Sequence, residues 1–179
     1  MAVMIRNLSR VGVLLLLLIG CSWLVTGCGD EAPKTLRMGD EAPAFTGKDL
    51  DGQPVSLADY TGKPVVIRFF LPDCKFCRAD TAVFNEYYRT YKEKGLGVIY
   101  VNTDPKPGEV RKFVDDLQIV FPVVLDPDHA IADQYRVQVV PQTVVMDPGH
   151  RIIGAILGGV SKEELDSQLG QFLSGSTDQ

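Results

Sequence analysis

Val65-Val66-Ile67-Arg68-Phe69-Phe70-Leu71-Pro72-Asp73-Cys74-Lys75-Phe76-Cys77 changes structural period part-way along its length. The first six residues are rich in β-branched and aromatic side chains, which suits a central strand that is largely buried. Pro72-Asp73 ends that strand. From Cys74 a helical pattern runs to Lys94, where Gly95 stops it. The two cysteines therefore open a helix. Free N–H groups and the macrodipole at such a position stabilise a thiolate. Sulfurs three residues apart meet across one turn, so the first can attack a disulfide and the second can resolve the mixed intermediate. Cys74 is the expected attacking thiolate and Cys77 the resolving thiol, the two forming the redox disulfide. Zinc would need two further ligands, yet the other cysteines lie near the N-terminus, and His129 and His150 lack paired-ligand spacing. No metal and no cofactor is expected. A purely structural bridge would close a very short loop and restrict the unfolded chain little.

Outward from this junction, strands and helices alternate. Residues 44–60 suggest a hairpin, with Phe45 on one arm, a turn at Asp51-Gly52, and Val55 and Leu57 on the other. Gly97 to Asn102 is a second strand. Val110, Phe113, Val114 and Leu117 recur at helical spacing. Residues 122–126 form a short strand and residues 128–135 a short helix. Residues 143–146 and 151–157 flank a turn at Asp147-Pro148-Gly149, giving an antiparallel hairpin. Ser161 and Glu164 make a capping box for a last helix, with Leu165, Leu169, Phe172 and Leu173 facing inward. The fold class is α/β: a mixed central sheet flanked by helices, with an N-terminal β-hairpin extension.

The chain has 179 residues, 23% charged and 45% hydrophobic, which excludes wholesale disorder and fits one domain with processed or flexible ends. Its net charge of −5 argues against a nucleic-acid partner. The apolar residues are unevenly spread, with twelve of the fifteen residues 11–25 apolar. Arg6 and Arg10 precede this run, no acid occurs before Asp30, and Val25-Thr26-Gly27-Cys28 follows. A positive start, a short apolar stretch and small residues describe an export signal. The run is short for a membrane span, which needs ~20 apolar residues. Residues 1–27 are read as signal peptide, 28–40 as tether and 41–175 as the folded domain. The alternative is an uncleaved anchor helix. Either way the domain lies outside the cytoplasm, tethered to a membrane.

Asp80 falls on or beside the inward stripe of the cysteine helix, with Cys77, Phe84, Tyr87, Tyr88 and Tyr91. A partly buried carboxylate there could exchange a proton with a neighbouring thiol. It could equally be an acid that satisfies the helix start.

The segment around the cysteines resembles the thioredoxin superfamily, specifically its membrane-anchored TlpA/ResA-like branch, related to the AhpC/TSA redoxin fold. The resemblance spans about residues 38–173. It rests on the opening Met38-Gly39-Asp40-Glu41-Ala42-Pro43-Ala44-Phe45, on the dithiol segment, and on Val139-Val140-Pro141-Gln142-Thr143. It implies a thioredoxin-like fold with a cis proline at Pro141, an otherwise ordinary loop proline. It also implies a substrate groove walled by Val140 and Pro141, with Phe76, between the cysteines, as a further substrate-binding residue. The branch carries a glutamate where this chain has Asp80, proposed there to move a proton. Asp73 replaces the usual tryptophan; it disfavours a Cys74 thiolate, which Lys75 and Arg78 favour. The N-terminal segment resembles a bacterial lipoprotein signal lipidated at Cys28, with Leu18-Ile19-Gly20-Cys21 a second candidate of the same grammar.

The implied activity is that of a cell-envelope thiol-disulfide oxidoreductase, a reductant of protein disulfides that includes c-type cytochrome maturation in its range. Its expected partners are protein disulfides, a membrane thiol electron donor and a lipid anchor, and a monomer is expected. A peroxiredoxin-like peroxidase would need Pro-x-x-x-Thr-x-x-Cys. Here Phe76 and Ala79 stand at the threonine and cysteine positions after Pro72. A copper-delivery module of this fold would space its cysteines as C-x-x-x-C and add a nearby histidine.

Overall fold

The computed structural model of the chain describes residues 36–104 and 106–174. The expected signal segment and Cys28 lie outside the described residues. Seven strands form one sheet: β1 (Thr46–Asp49), β2 (Pro54–Ser56), β3 (Val65–Phe70), β4 (Gly97–Asn102), β5 (Val123–Leu125), β6 (Gln142–Met146) and β7 (Ile152–Leu157). Their order is β2-β1-β5-β4-β3-β6-β7. β3 runs parallel to β4 and antiparallel to β6. Among the described residues four α-helices accompany the sheet: α1 (Lys75–Tyr91), α2 (Pro107–Leu117), α3 (Ala130–Gln134) and α4 (Lys162–Leu173). This is the mixed α/β architecture that the alternation predicts.

Every residue of β3 is buried, as a strand covered on both faces requires. The period of two divides them between two cores. Val66 and Phe70 join the core beneath α1, α2 and α4, with Cys77, Phe84, Phe113, Leu165 and Leu169. Val65, Ile67 and Phe69 join the opposite core, with Phe45, Leu57, Ile131 and Tyr135. Arg68 shares the parity of Val66 and Phe70, so its side chain enters the core under α1.

Local chemistry sets the element ends. α1 stops at Tyr91 rather than Lys94, because residues Lys92–Lys94 tighten into a 3-10 turn closed by Gly95 at φ 93°. α2 carries Pro107 in its first turn. The Ser161–Glu164 capping box is formed in both directions. Leu57 departs from the expected hairpin arm. Ser56 accepts from the Ala58 N–H while Asp59 accepts from the Ser56 N–H, and this reciprocal cap turns residues Leu57–Tyr60 into a 3-10 helix. Gly39 and Asp40, read above as the end of the tether, pair with the sheet. The Gly39 N–H donates to the Ile152 carbonyl, and the Ile152 N–H to that of Asp40.

Candidate active site

The end of β3 delivers the chain through Pro72-Asp73 to Cys74, the N-cap of α1. The Cys77 N–H donates to Cys74 Sγ at 3.2 Å. The two cysteines are disulfide-bonded, with Cα atoms 5.2 Å apart. Cys74 is half-buried, whereas Cys77 is fully buried. Phe76 stands exposed between them, with the Lys75 ammonium 4.9 Å from its ring centre.

Sheet register brings the second loop alongside. Phe69 pairs with Gln142, so Pro141 lies at the same end of the sheet as the start of α1. The Val140–Pro141 peptide is cis. The Pro141 carbonyl accepts from the Gly158 N–H at 2.9 Å, which ties this loop to the end of β7. Pro141 is buried and Val140 half-buried. Val139 and Leu157, which sequence reasoning did not single out, are exposed apolar side chains on these two neighbouring segments. Arg78 pairs with Asp116 at 3.2 Å and lies over the Phe113 ring, so its charge is shared with α2.

Asp80 is buried, and its carboxylate bonds across the fold rather than at the helix start. Its Oδ2 accepts from the Val160 N–H at 2.9 Å and from Arg68 Nη2. Burial pushes the Asp80 carboxyl above its ordinary value, against the opposing pull of Arg68 and of the Val160 N–H. Burial also lowers Arg68, and the Asp80 charge opposes that. The Asp80 Oδ1 is buried without a hydrogen-bond partner.

Arg68 is the residue the sequence reading passed over. It is fully buried and donates through Nη1 to Thr143 Oγ1 at 2.6 Å and to the Gly158 carbonyl at 3.0 Å. Its guanidinium lies 5.1 Å from the Phe84 ring centre. A charge in the middle of an all-apolar strand was the available signal, because a buried cation requires a partner. Thr81 and Tyr100 extend the buried polar group, with Thr81 Oγ1 donating to the Cys77 carbonyl at 2.6 Å.

The family model for the AhpC/TSA family matches residues 38–155. The chain belongs to that family. Within it, the chain is 34% identical to the thiol-disulfide oxidoreductase ResA of Bacillus thuringiensis (strain Al Hakam), over 92% of this chain and 95% of the relative. A putative thiol:disulfide interchange protein DsbE from Chlorobium tepidum superposes with a TM-score of 0.73 at 31% identity, over 77% of this chain and 99% of that one. The thioredoxin domain of a thiol-disulfide oxidoreductase from Bacteroides vulgatus gives 0.69 at 30% identity, over 77% and 99%. These likenesses and the bonded Cys74–Cys77 pair establish a thioredoxin-like fold and a thiol-disulfide oxidoreductase of the TlpA/ResA type. Among the described residues no helix is long and apolar enough to cross a membrane.

Proposed function

We propose that this oxidoreductase works as a reductant of protein disulfides outside the cytoplasm, as a monomer. Cys28 carries the lipid anchor, a membrane thiol protein restores the dithiol, and c-type cytochrome maturation is its setting. The observation that carries the reading is the asymmetry of the two sulfurs: Cys74 caps a helix at the surface, while Cys77 is hidden behind it.

The reduced Cys74 thiolate, favoured by the helix terminus, attacks one sulfur of a substrate disulfide. The substrate S–S bond breaks, a mixed disulfide with Cys74 forms, and the first substrate thiolate leaves. Cys77 then loses its proton and attacks Cys74 Sγ. The second substrate thiolate departs, and two electrons have moved from the protein dithiol to the substrate. Val140 and Pro141 hold the extended substrate segment, and the exposed Phe76 contacts it from the other side. Asp80 relays the proton that Cys77 loses on resolution and the one it regains on re-reduction.

The reduction potential of the pair tests the direction of transfer. A value near or below ~−220 mV is expected for a reductant, and one near ~−120 mV would make the protein an oxidant.

A further inference from the structure

Asp80 is the acid nearest the resolving thiol in sequence, and the fold treats its two oxygens differently. Oδ2 takes both the Arg68 and the Val160 hydrogen bonds, whereas Oδ1 is buried and unpartnered. Cys77 lies three residues earlier on the same buried face of α1. Arg68 itself is anchored from three directions: Asp80 on α1, Thr143 on β6 immediately beyond Pro141-Gln142, and the Gly158 carbonyl after β7. One guanidinium thus joins the segments that frame the disulfide.

We infer that Arg68 is a positioning residue for the resolving step: by binding Oδ2 it holds Asp80 as a carboxylate and leaves Oδ1 as the acceptor for the Cys77 proton. The inference rests on the redox roles proposed above for Cys74 and Cys77. With the mixed disulfide in place, the Cys77 thiol passes its proton to Asp80 Oδ1. The thiolate so formed attacks Cys74 Sγ, the Cys74–substrate bond breaks, and its electron pair leaves on the substrate sulfur. The proton then passes from Asp80 to that departing thiolate.

The groups around Asp80 are few. β3 contributes the Arg68 cation, β4 the buried Tyr100 phenol, the loop before α4 the Val160 N–H, and α1 the Cys77 thiol. Thr143 of β6 reaches Asp80 only through Arg68. Arg68 is therefore the one full positive charge facing the carboxylate among these elements. Desolvation alone would keep a buried acid protonated, and a protonated Asp80 cannot take the thiol proton.

The test uses the full chain in detergent, reduced and mixed with Ellman's reagent, which releases one thionitrobenzoate on attack by Cys74 and a second on resolution by Cys77. Arg68→Met should leave the first release within about twofold and slow the second by roughly 100-fold, the low end of general acid–base effects. The pH midpoint of the second release should move up by about 1–3, the range an adjacent cation exerts on a carboxylate. Arg68→Lys, which restores the charge, should return the midpoint towards that of the wild type. Asp80→Asn should remove the pH dependence that Asp80 contributes. Equal slowing of both releases, or an unmoved midpoint in Arg68→Met, would overturn the inference. Infrared difference spectra of wild type against Asp80→Asn supply a measurement that needs no Arg68 variant: a protonated Asp80 carboxyl at neutral pH would also overturn it. A wild-type chain that gives no second release would instead remove the redox reading, and the inference with it.

Discussion

At the scale of single residues, Cys74 and Cys77 differ in exposure more than in chemistry, and that difference sets the outcome of each substitution. Cys77→Ser leaves the accessible nucleophile intact and should accumulate mixed disulfides with protein substrates on non-reducing gels. Cys74→Ser should accumulate none. Capture by Cys74→Ser alone would reverse the assignment. The buried Arg68–Asp80 pair carries a stability prediction of its own. Removing one member strands the other charge in a dry environment, at a cost of about 3–5 kcal/mol, whereas replacing both with apolar residues relieves it. Asp80→Leu should therefore lower the urea midpoint sharply, and Arg68→Met/Asp80→Leu should recover much of the loss. If the double variant is as unstable as the single, the pair is not a coupled unit.

At the scale of elements, β4 starts with Gly97, and a Cβ there would stand 2.4 Å from Cδ1 of the Tyr60 ring. That ring ends the short helix after β2, so neither side can yield freely. Gly97→Ala should cost about 1–3 kcal/mol in urea unfolding, the range for overpacking, and an unchanged midpoint would show that Tyr60 swings aside. β3, β4 and the α4 cap could be read from the sequence almost to the residue, because alternation and capping are local signals. The Leu57 turn could not, since a two-way cap of Ser56 with Asp59 competes there with a strand pattern. The dithiol was equally plain, because its two cysteines and its helix start are contiguous. Arg68 escaped because its partners lie 12, 75 and 90 residues away, on α1, β6 and the loop after β7. The destination of the Asp80 carboxylate was hidden for the same reason: helical spacing places the residue on a face but says nothing of what the sheet offers it.

At the scale of the whole molecule, burial holds phenols neutral on both faces of the sheet. Burial raises Tyr60 from 10.0 to about 12, and it pushes Tyr87, Tyr100 and Tyr135 up as well. The native state then binds these protons more tightly than the unfolded chain does. Their stabilisation is complete below the unfolded value and is lost as pH rises through the folded one. Unfolding midpoints should fall between pH of about 10 and about 12, and Tyr60→Phe should lessen the fall. A flat profile would contradict this. The proposed anchor is tested on the same scale: intact mass of membrane-extracted protein should match a lipidated chain starting at Cys28, and a start at Met1 or Cys21 would refute it. The flanks of the sheet have a consequence for how copies of this protein behave when crowded. On one side β1 covers β5, and the outermost strand, β2, is only three residues long and begins with Pro54. On the other, backbone bonds from residues 39–42 occupy the start of β7. Bare strand edges template polymerisation, and short, proline-bearing or covered ones resist it. Among the described residues, the edge backbone left open for zipping onto other copies is thus confined to the rest of β7, residues 153–157, which runs towards the sulfur-bearing end of the sheet.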